Sequence, residues 1–162
     1  MKDRAMTPQT TTQSDIPGAL RPAGITVGTP VLTLDGELPV QFLALGDRVI
    51  TRNGARVLKA ISVQVLRDAA MIRVSASALG HDRPESDVFL APSQKVLLRD
   101  WRAKALYGSE TALVEAARLA DGEYIRQETV AELRLFTLHF GRDEVIYAGG
   151  LELACESATV PA

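Results

Sequence analysis

The amino-acid sequence predicts an all-β domain made of many short antiparallel strands and hairpins. Two dipeptides, Asp35-Gly36 and Asn53-Gly54, accept the positive φ angles of tight hairpin turns, and each stands between short apolar runs. Residues 56–66 alternate between apolar and polar side chains, as a half-buried strand requires. Turn signals recur at short intervals along most of the chain, which favours a barrel or a sandwich of short strands.

Length and composition are those of one globular domain. The 162 residues carry a net charge of −2, and 46% of them are hydrophobic although only 5% are aromatic. We therefore expect a core of aliphatic side chains, and we do not expect a nucleic-acid-binding protein. The single cysteine, Cys155, excludes an intramolecular disulfide and a multi-cysteine metal site.

The two ends of the chain differ from its middle. Residues 1–22 are rich in Thr, Gln, Pro and small polar residues and lack periodicity, so we interpret them as a disordered leader. We expect the ordered domain over residues 23–157 and a flexible tail over residues 158–162. The sequence contains no apolar run of membrane-spanning length and no secretory signal. The default expectation is a cytoplasmic protein that does not bind membranes, with export by a signal-less route left open.

The first half of the domain is predicted to consist of hairpins. Apolar runs flank Asp35-Gly36, and a turn at Gly46-Asp47 leads into a strand at residues 48–51. Two alternating strands follow, over residues 56–66 and 71–76. The side chains that we expect to face the core from these two strands are Val57, Ile61, Val63, Val65, Ile72, Val74 and Ala76.

The second half is predicted to contain more strands and very little helix. Short apolar runs at residues 88–90 and 96–98 are separated by the turn Ala91-Pro92-Ser93-Gln94. Residues 109–120 have good helix formers, but they end at a Gly turn, so we expect at most a short helical turn there. The last two strands, residues 133–140 and 144–148, are predicted to pair with each other through a turn at residues 141–143.

Several stretches, taken in this order, resemble the bacterial branch of the Hint family, which comprises Hedgehog autoprocessing domains and inteins. The resemblance extends over roughly residues 24–157. The stretches that carry it are Gly28-Thr29 with the Asp35-Gly36 hairpin, Leu45-Gly46-Asp47-Arg48-Val49, Ile72-Arg73-Val74 with Ala78-Leu79-Gly80, Pro92 with Val96-Leu97-Leu98, Trp101-Arg102-Ala103, Leu106-Tyr107-Gly108, Leu119 with Asp121-Gly122, and Phe140 with Arg142 and Glu144-Val145. The fold that this resemblance implies is a horseshoe-like, pseudo-two-fold, all-β domain.

The resemblance also implies a mechanism. In the family, a cysteine at the first position attacks the preceding carbonyl and converts a peptide bond into a thioester, which a second nucleophile opens. A histidine near the scissile amide protonates the leaving nitrogen, and polar groups hold the oxyanion. The resemblance therefore predicts the positions at which this chemistry would be found.

Those positions do not carry the required groups. Gly24 stands at the place of the nucleophile and has no side chain. The Thr/Ser-x-x-His motif falls on residues 91–94, where Ala91 replaces the hydroxyl residue and Gln94 replaces the histidine. A glutamine amide forms hydrogen bonds but does not transfer protons near neutral pH. A later Asp-x-His pattern falls on residues 141–143 and ends in Asp143, without an imidazole.

Hydroxyl and imidazole groups at other positions are the candidates to replace the missing nucleophile and histidine. Thr26 is the candidate for an N-to-O acyl shift, and Ser93 is a second hydroxyl, but we interpret them as a strand residue and a turn residue because no base lies near them in sequence. His81 and His139 match no position of the family motif and are interpreted as surface or hydrogen-bonded residues. The aromatic and basic cluster around Trp101 is interpreted as a structural anchor, and the acidic loop around Glu85 as a solvated surface.

Three functional hypotheses remain at this point. The first is a catalytically degenerate Hint domain that serves as a structural or interaction module and is not an enzyme. The second is a domain that still processes itself, through Thr26 or Ser93, and releases the leader. The third is a small β domain that binds a ligand or protein in the old cleft around Gly24, Ala91 and Gln94. The sequence predicts no cofactor and no metal, leaves a protein partner open, and does not specify the oligomeric state.

Overall fold

The computed structural model describes residues 23–157 of the chain. The predicted leader, residues 1–22, and the predicted tail, residues 158–162, lie outside the described residues. The strands, with one short helix among them, are β1 Ile25–Thr26, β2 Pro30–Thr33, β3 Gly36–Pro39, β4 Arg48–Thr51, β5 Gly54–Val57, β6 Ala60–Val74, β7 Val88–Leu90, β8 Lys95–Leu98, α1 Trp101–Tyr107, β9 Ala112–Glu115, β10 Ile125–His139, β11 Glu144–Ala148 and β12 Leu151–Cys155. Two 3-10 turns, Val40–Phe42 and Ala116–Leu119, connect strands.

Within residues 23–157 the strands form two antiparallel sheets. Eight of them make one sheet with the order β9-β8-β12-β11-β2-β4-β5, in which β3 pairs with β2. The other four close a small barrel in the order β10-β1-β7-β6. The all-β prediction is therefore confirmed, and the chain passes between the two sheets several times.

Two long strands dominate the barrel. β6 and β10 are 15 residues each and pair along almost their whole length, from Ala60 opposite His139 to Val74 opposite Ile125. The two-residue strand β1 lies on the other edge of β10, and Phe136 is opposite Ile25. Because β1 also pairs with β7, the first residues of the described chain are enclosed between two strands.

The predicted hairpins are both present and are closed by the same device. In each, a threonine hydroxyl donates to the carbonyl of the glycine three residues later: Thr33 to Gly36 at 2.8 Å, and Thr51 to Gly54 at 2.7 Å. Each hydroxyl also accepts the N–H two residues ahead. Threonine therefore fixes the register of both hairpins, because its branched side chain suits a strand and its hydroxyl satisfies the turn.

The main core is aliphatic, as the low aromatic content predicts. Its fully buried side chains come from both sheets and include Ile25, Leu58, Ile72, Leu90, Leu98, Ile125, Leu138, Ile146, Leu151 and Leu153. A second, smaller cluster lies within the barrel and contains Leu66, Met71, Ala91, Leu133 and Leu135. The two clusters together enclose β1.

The predicted inward face of residues 56–66 is wrong in part. Val57 is 47% exposed and Val63 is 55% exposed, whereas Leu58 and Leu66 are buried. The alternation is interrupted because β5 ends at Val57 and β6 starts at Ala60 in the other sheet, so one parity does not run through both strands. Ala76 is also exposed, since β6 ends at Val74, while Ile72 and Val74 are buried as predicted.

The predicted pairing of the last two strands is wrong as well. Residues 133–140 belong mostly to β10, which pairs with β6 and β1, whereas β11 pairs with β12, β2 and β4. The turn at residues 141–143 therefore carries the chain from the barrel to the large sheet and does not close a hairpin. A turn signal alone does not distinguish these two connections.

The helix α1 was not predicted, because seven residues are too few to show a helical period. It begins after Asp100, whose carboxylate accepts the N–H of Arg102 at 2.9 Å, and ends at Gly108 with φ of 69°. Residues 109–120 contain β9 and a single 3-10 turn, so the expectation of at most a short helical turn there is confirmed.

Candidate functional site

The peptide bond between Ala23 and Gly24 is held by two polar side chains. The N–H of Gly24 donates to Oε1 of Gln94 at 2.9 Å, and Oγ1 of Thr137 donates to the carbonyl oxygen of Ala23 at 2.9 Å. Gln94 is only 2% exposed and Gly24 is buried. The N–H and the C=O of this one peptide unit thus each have a side-chain partner from a different strand or turn.

The register of the barrel explains this arrangement. Ile25 lies opposite Phe136 on one side and opposite Leu90 on the other. Because these strands are antiparallel, the residues that follow Phe136 and Leu90 lie beside the residue that precedes Ile25. Thr137 and Ala91 are therefore next to Gly24. The turn that follows, in which the N–H of Gln94 donates to the carbonyl of Ala91 at 3.0 Å, then directs Gln94 at the same peptide.

The amide nitrogen of Gln94 binds main-chain carbonyls, one of which belongs to the last strand in the sequence. Its Nε2 donates to the carbonyl of Ala154 on β12 at 2.8 Å and to the carbonyl of Lys95 at 3.0 Å. One buried side chain therefore links the first described residues to the last strand. A neutral histidine has one N–H donor where the glutamine amide has two, so it does not reproduce all three contacts.

Gly24 has no space for a side chain in this conformation. Its φ is +152°, and a Cβ built there would lie 2.9 Å from the carbonyl oxygen of Phe136 and 3.1 Å from Oγ1 of Thr137. The nearer atom is backbone in the middle of a paired strand, so it does not move away as the end of a flexible side chain would. Any nucleophilic side chain at this position would require β1 or β10 to shift.

The other sequence candidates are placed differently. Ala91 is fully buried and packs in the smaller hydrophobic cluster. Asp143 is exposed in the turn before β11, where its Oδ1 accepts the N–H of Ser157 at 2.5 Å. The structure therefore brings Gly24, Ala91 and Gln94 together, whereas Asp143 binds the N–H of Ser157 near the end of the described residues.

Thr26 is buried and its hydroxyl is occupied. Its Oγ1 donates to the carbonyl of Phe89 at 3.1 Å and lies 3.0 Å from Oγ1 of Thr29. Neither neighbour is a base, so these contacts give the hydroxyl a structural role. Ser93 is half-buried in the turn before Gln94, as expected for a turn residue.

The two histidines lie apart from Gln94. His81 is 95% exposed beside Asp82, whereas Nε2 of His139 is 3.1 Å from Oγ of Ser62 on the surface of the barrel. Thr137 is the site residue that sequence reasoning missed. Its signal was the polar alternation of Thr137 with His139 near the end of β10, but only the register shows that it reaches Ala23.

The side chains around the Ala23–Gly24 peptide bind both of its polar atoms. Thr137 donates to the carbonyl oxygen, which is the task of an oxyanion-binding group. Gln94 accepts from the amide nitrogen and has no proton to transfer to it near neutral pH. No group of three or more His, Cys, Asp or Glu side chains in residues 23–157 is arranged to hold a metal ion. No helix of this region is long and apolar enough to cross a membrane.

Cys155 is expected to be unreactive in the folded protein. Burial raises the pKa of its thiol to about 12, and the negative charge of Glu144 on the paired strand adds to the shift. We expect a thiol reagent at pH 8 to modify native protein no faster than it unfolds, whereas the variant Ser157→Cys, with an exposed thiol, gains one equivalent at once. Since only the unfolded thiol ionises between pH 9 and about 12, stability should fall with rising pH in that window. Rapid modification of native Cys155 would contradict the described packing.

Comparisons with known proteins agree with the architecture. The family model of the Hint domain matches residues 23–161. The chain is similar to the solution structure of a bacterial intein-like domain from Clostridium thermocellum, with 15% identity, a TM-score of 0.56, and coverage of 83% of this chain and 98% of that chain. It is also similar to the TvoVMA intein, with 11% identity, a TM-score of 0.53, and coverage of 83% and 98%.

A third similar structure is the MchDnaB-1 intein, with 14% identity, a TM-score of 0.52, and coverage of 80% of this chain and 98% of that chain. At such identities the likeness concerns the fold alone. No match was found among curated proteins. Because the family match extends over residues 23–161 and the antiparallel two-sheet architecture is that of the solved inteins, this chain belongs to the Hint domain family.

Proposed function

We propose that this chain is a catalytically degenerate Hint domain that serves as a structural or interaction module. The observation that carries the proposal is the state of the Ala23–Gly24 peptide. It is buried and held at both polar atoms, but the residue that would attack it has no side chain and no space for one. A site that keeps its binding contacts and lacks its nucleophile is suited to fixing a chain segment in place.

The contacts of Gln94 support the same proposal. Three hydrogen bonds use the full amide, and the acceptors of its Nε2 are the main-chain carbonyls of the adjacent Lys95 and of Ala154 on β12. A buried amide that is satisfied in this way stabilises one arrangement of the backbone. In place of an acid that protonates a leaving nitrogen, the domain has a group that joins its first and last strands.

Self-processing through Thr26 is the alternative that an experiment must separate. An acyl shift would require the hydroxyl to leave the carbonyl of Phe89 and to lose its proton to a base. Within the described residues, Oγ1 of Thr26 contacts that carbonyl and the hydroxyl of Thr29. This geometry favours the structural module over the self-cleaving domain.

The test is the intact mass of freshly expressed full-length protein, followed over days with and without hydroxylamine or a thiol. We expect one unchanging species at the full mass of about 17.5 kDa. The Ala23–Gly24 peptide has no attacking group beside it, so an added nucleophile has no thioester or ester intermediate to open.

One variant makes the result decisive. Thr26→Val removes the hydroxyl but keeps the branched shape, and it should also give one unchanging species at its own full mass. If the parent chain is instead cut between residues 23 and 26, faster with hydroxylamine, and the Thr26→Val variant stays intact, the domain processes itself through Thr26. That outcome would overturn the proposed function.

A further inference from the structure

Three arginines from separate parts of the chain converge on one buried carboxylate. Glu152 lies on β12 with its side chain only 4% exposed. Its Oε1 is 2.7 Å from Nη1 of Arg52, and its Oε2 is 2.6 Å from Nε of Arg99 and 3.5 Å from Nη1 of Arg83. We call these four residues the arginine cluster. The site around Gln94 does not use any of them.

The charges of the arginine cluster do not balance. Three guanidinium groups and one carboxylate leave a local charge of +2, on a chain whose net charge is −2. The hydrogen bond that Arg52 donates to Glu152 raises the pKa of Arg52 further, so its guanidinium is charged at every working pH. Like charges this close are costly unless another anion approaches them.

The arginine cluster has donors to spare. A guanidinium carries five N–H groups, and each arginine uses one nitrogen toward Glu152. Arg52 also forms a side-chain hydrogen bond with Tyr147, which still leaves it with unused donors. The side chains of Arg52 and Arg99 are 40% and 46% exposed, so part of each fork reaches solvent. The Nε of Arg83 is buried and has no hydrogen-bond partner within the described residues, so the protein does not fully satisfy this guanidinium.

Nearby acidic groups do not complete the balance. Asp100, next to Arg99 in the chain, is bound by Arg102. Asp82, next to Arg83, is 62% exposed and lies beside His81. Within residues 23–157, Glu152 is the acidic side chain that contacts Arg52, Arg83 and Arg99. The excess positive charge is therefore local to the arginine cluster.

We propose that the arginine cluster is a binding site for a dianionic phosphoryl group. A charge of −2 matches the excess of +2, and the oxygens of a phosphoryl group accept from several guanidinium forks at once. Glu152 contacts all three guanidinium groups and so holds them close together. Inorganic phosphate in solution and a phosphorylated side chain of a partner protein are the two sources of such a group, and both present the same oxygens.

The test measures binding by full-length protein of two probes, inorganic phosphate and a phosphoserine peptide, with chloride replacing the probe at equal ionic strength. At a phosphate concentration of about ten times Kd, the thermal midpoint should rise by about 3 °C above the chloride reference. Tighter binding of the peptide assigns the group to a partner protein, and equal binding assigns it to the free anion. Either result supports the site.

Variants locate the binding. Arg99→Gln and, independently, Arg52→Gln should each weaken phosphate binding about tenfold, because each leaves two arginines to hold Glu152 and removes one fork. Arg99→Lys keeps the charge without the planar fork and should weaken binding by less. Arg126→Gln, which removes an exposed arginine on β10, is the charge-matched control and should leave binding unchanged. Unaltered binding in both glutamine variants of the cluster, or no rise above the chloride reference, would overturn the proposal.

Discussion

Replacing Gly24 with alanine is expected to lower the free energy of unfolding by about 3 kcal/mol. The added Cβ would lie 2.9 Å from the carbonyl oxygen of Phe136, and the φ of +152° is one that side chains rarely adopt. Relief requires β1 to move away from β10, which would break the bonds of the Ala23–Gly24 peptide to Gln94 and Thr137. Urea unfolding of the variant and the parent chain measures the loss.

Gly28→Ala is the matched control. Gly28 also has a positive φ, +91°, but a Cβ there meets nothing within 4 Å. The control should therefore cost only the backbone strain, about 1 kcal/mol. The difference between the two variants isolates the close approach of the strands. Equal losses would mean that β1 adapts freely, and the space at position 24 would then not exclude a nucleophile.

Gln94→Met is expected to have the largest effect on stability, a loss of about 4 kcal/mol. The change keeps the length of the side chain but removes its donors and its acceptor. The N–H of Gly24 and the carbonyl of Ala154 then lose their partner inside the protein. We expect the amide hydrogen of Gly24 to exchange with solvent much faster in the variant, which hydrogen exchange followed by NMR measures.

Gln41→Met is the control for this change. Oε1 of Gln41 accepts the N–H of Gly28 at 2.8 Å, which is the same kind of contact at an exposed position. Water replaces that bond when the amide is removed, so the loss should stay below about 1 kcal/mol. If the two glutamine variants were equally stable, the bridge between the first and last strands would not contribute to the fold.

The sequence predicted the class of the fold because the relevant signals are local. The hairpins at Asp35-Gly36 and Asn53-Gly54 follow from residues that are adjacent in the chain, and the structure contains both. Strand pairing beyond hairpins depends on contacts between distant residues, so the predicted pairing of residues 133–140 with β11 was wrong. The parity of Val57 and Val63 was also misjudged, because the change of sheet at residues 58–59 leaves no mark on the alternation.

The residues of the candidate site were also predicted only in part. Gly24, Ala91 and Gln94 were named from the family resemblance, and the register of β1 brings them together. Thr137 was missed because its contact with Ala23 joins residues 114 positions apart. Nothing in the local sequence distinguishes it from other polar residues on a strand face. The conformation of Gly24 could not be predicted from the sequence either, because it depends on how closely the backbones of Gly24 and β10 approach each other.

The bridge made by Gln94 also determines how the domain would respond to force. The described chain starts at Ala23 and ends at Ser157, and the amide of Gln94 binds next to both, at Gly24 and Ala154. A load pulling residues 23 and 157 apart would therefore act on this side chain, together with the hydrogen bonds of Ala23 with Thr137 and of Ser157 with Asp143 and the ion pair of Lys95 with Glu156. The two attachment points would stay at a fixed spacing under small loads. The domain would then act as a stiff joint in any longer chain.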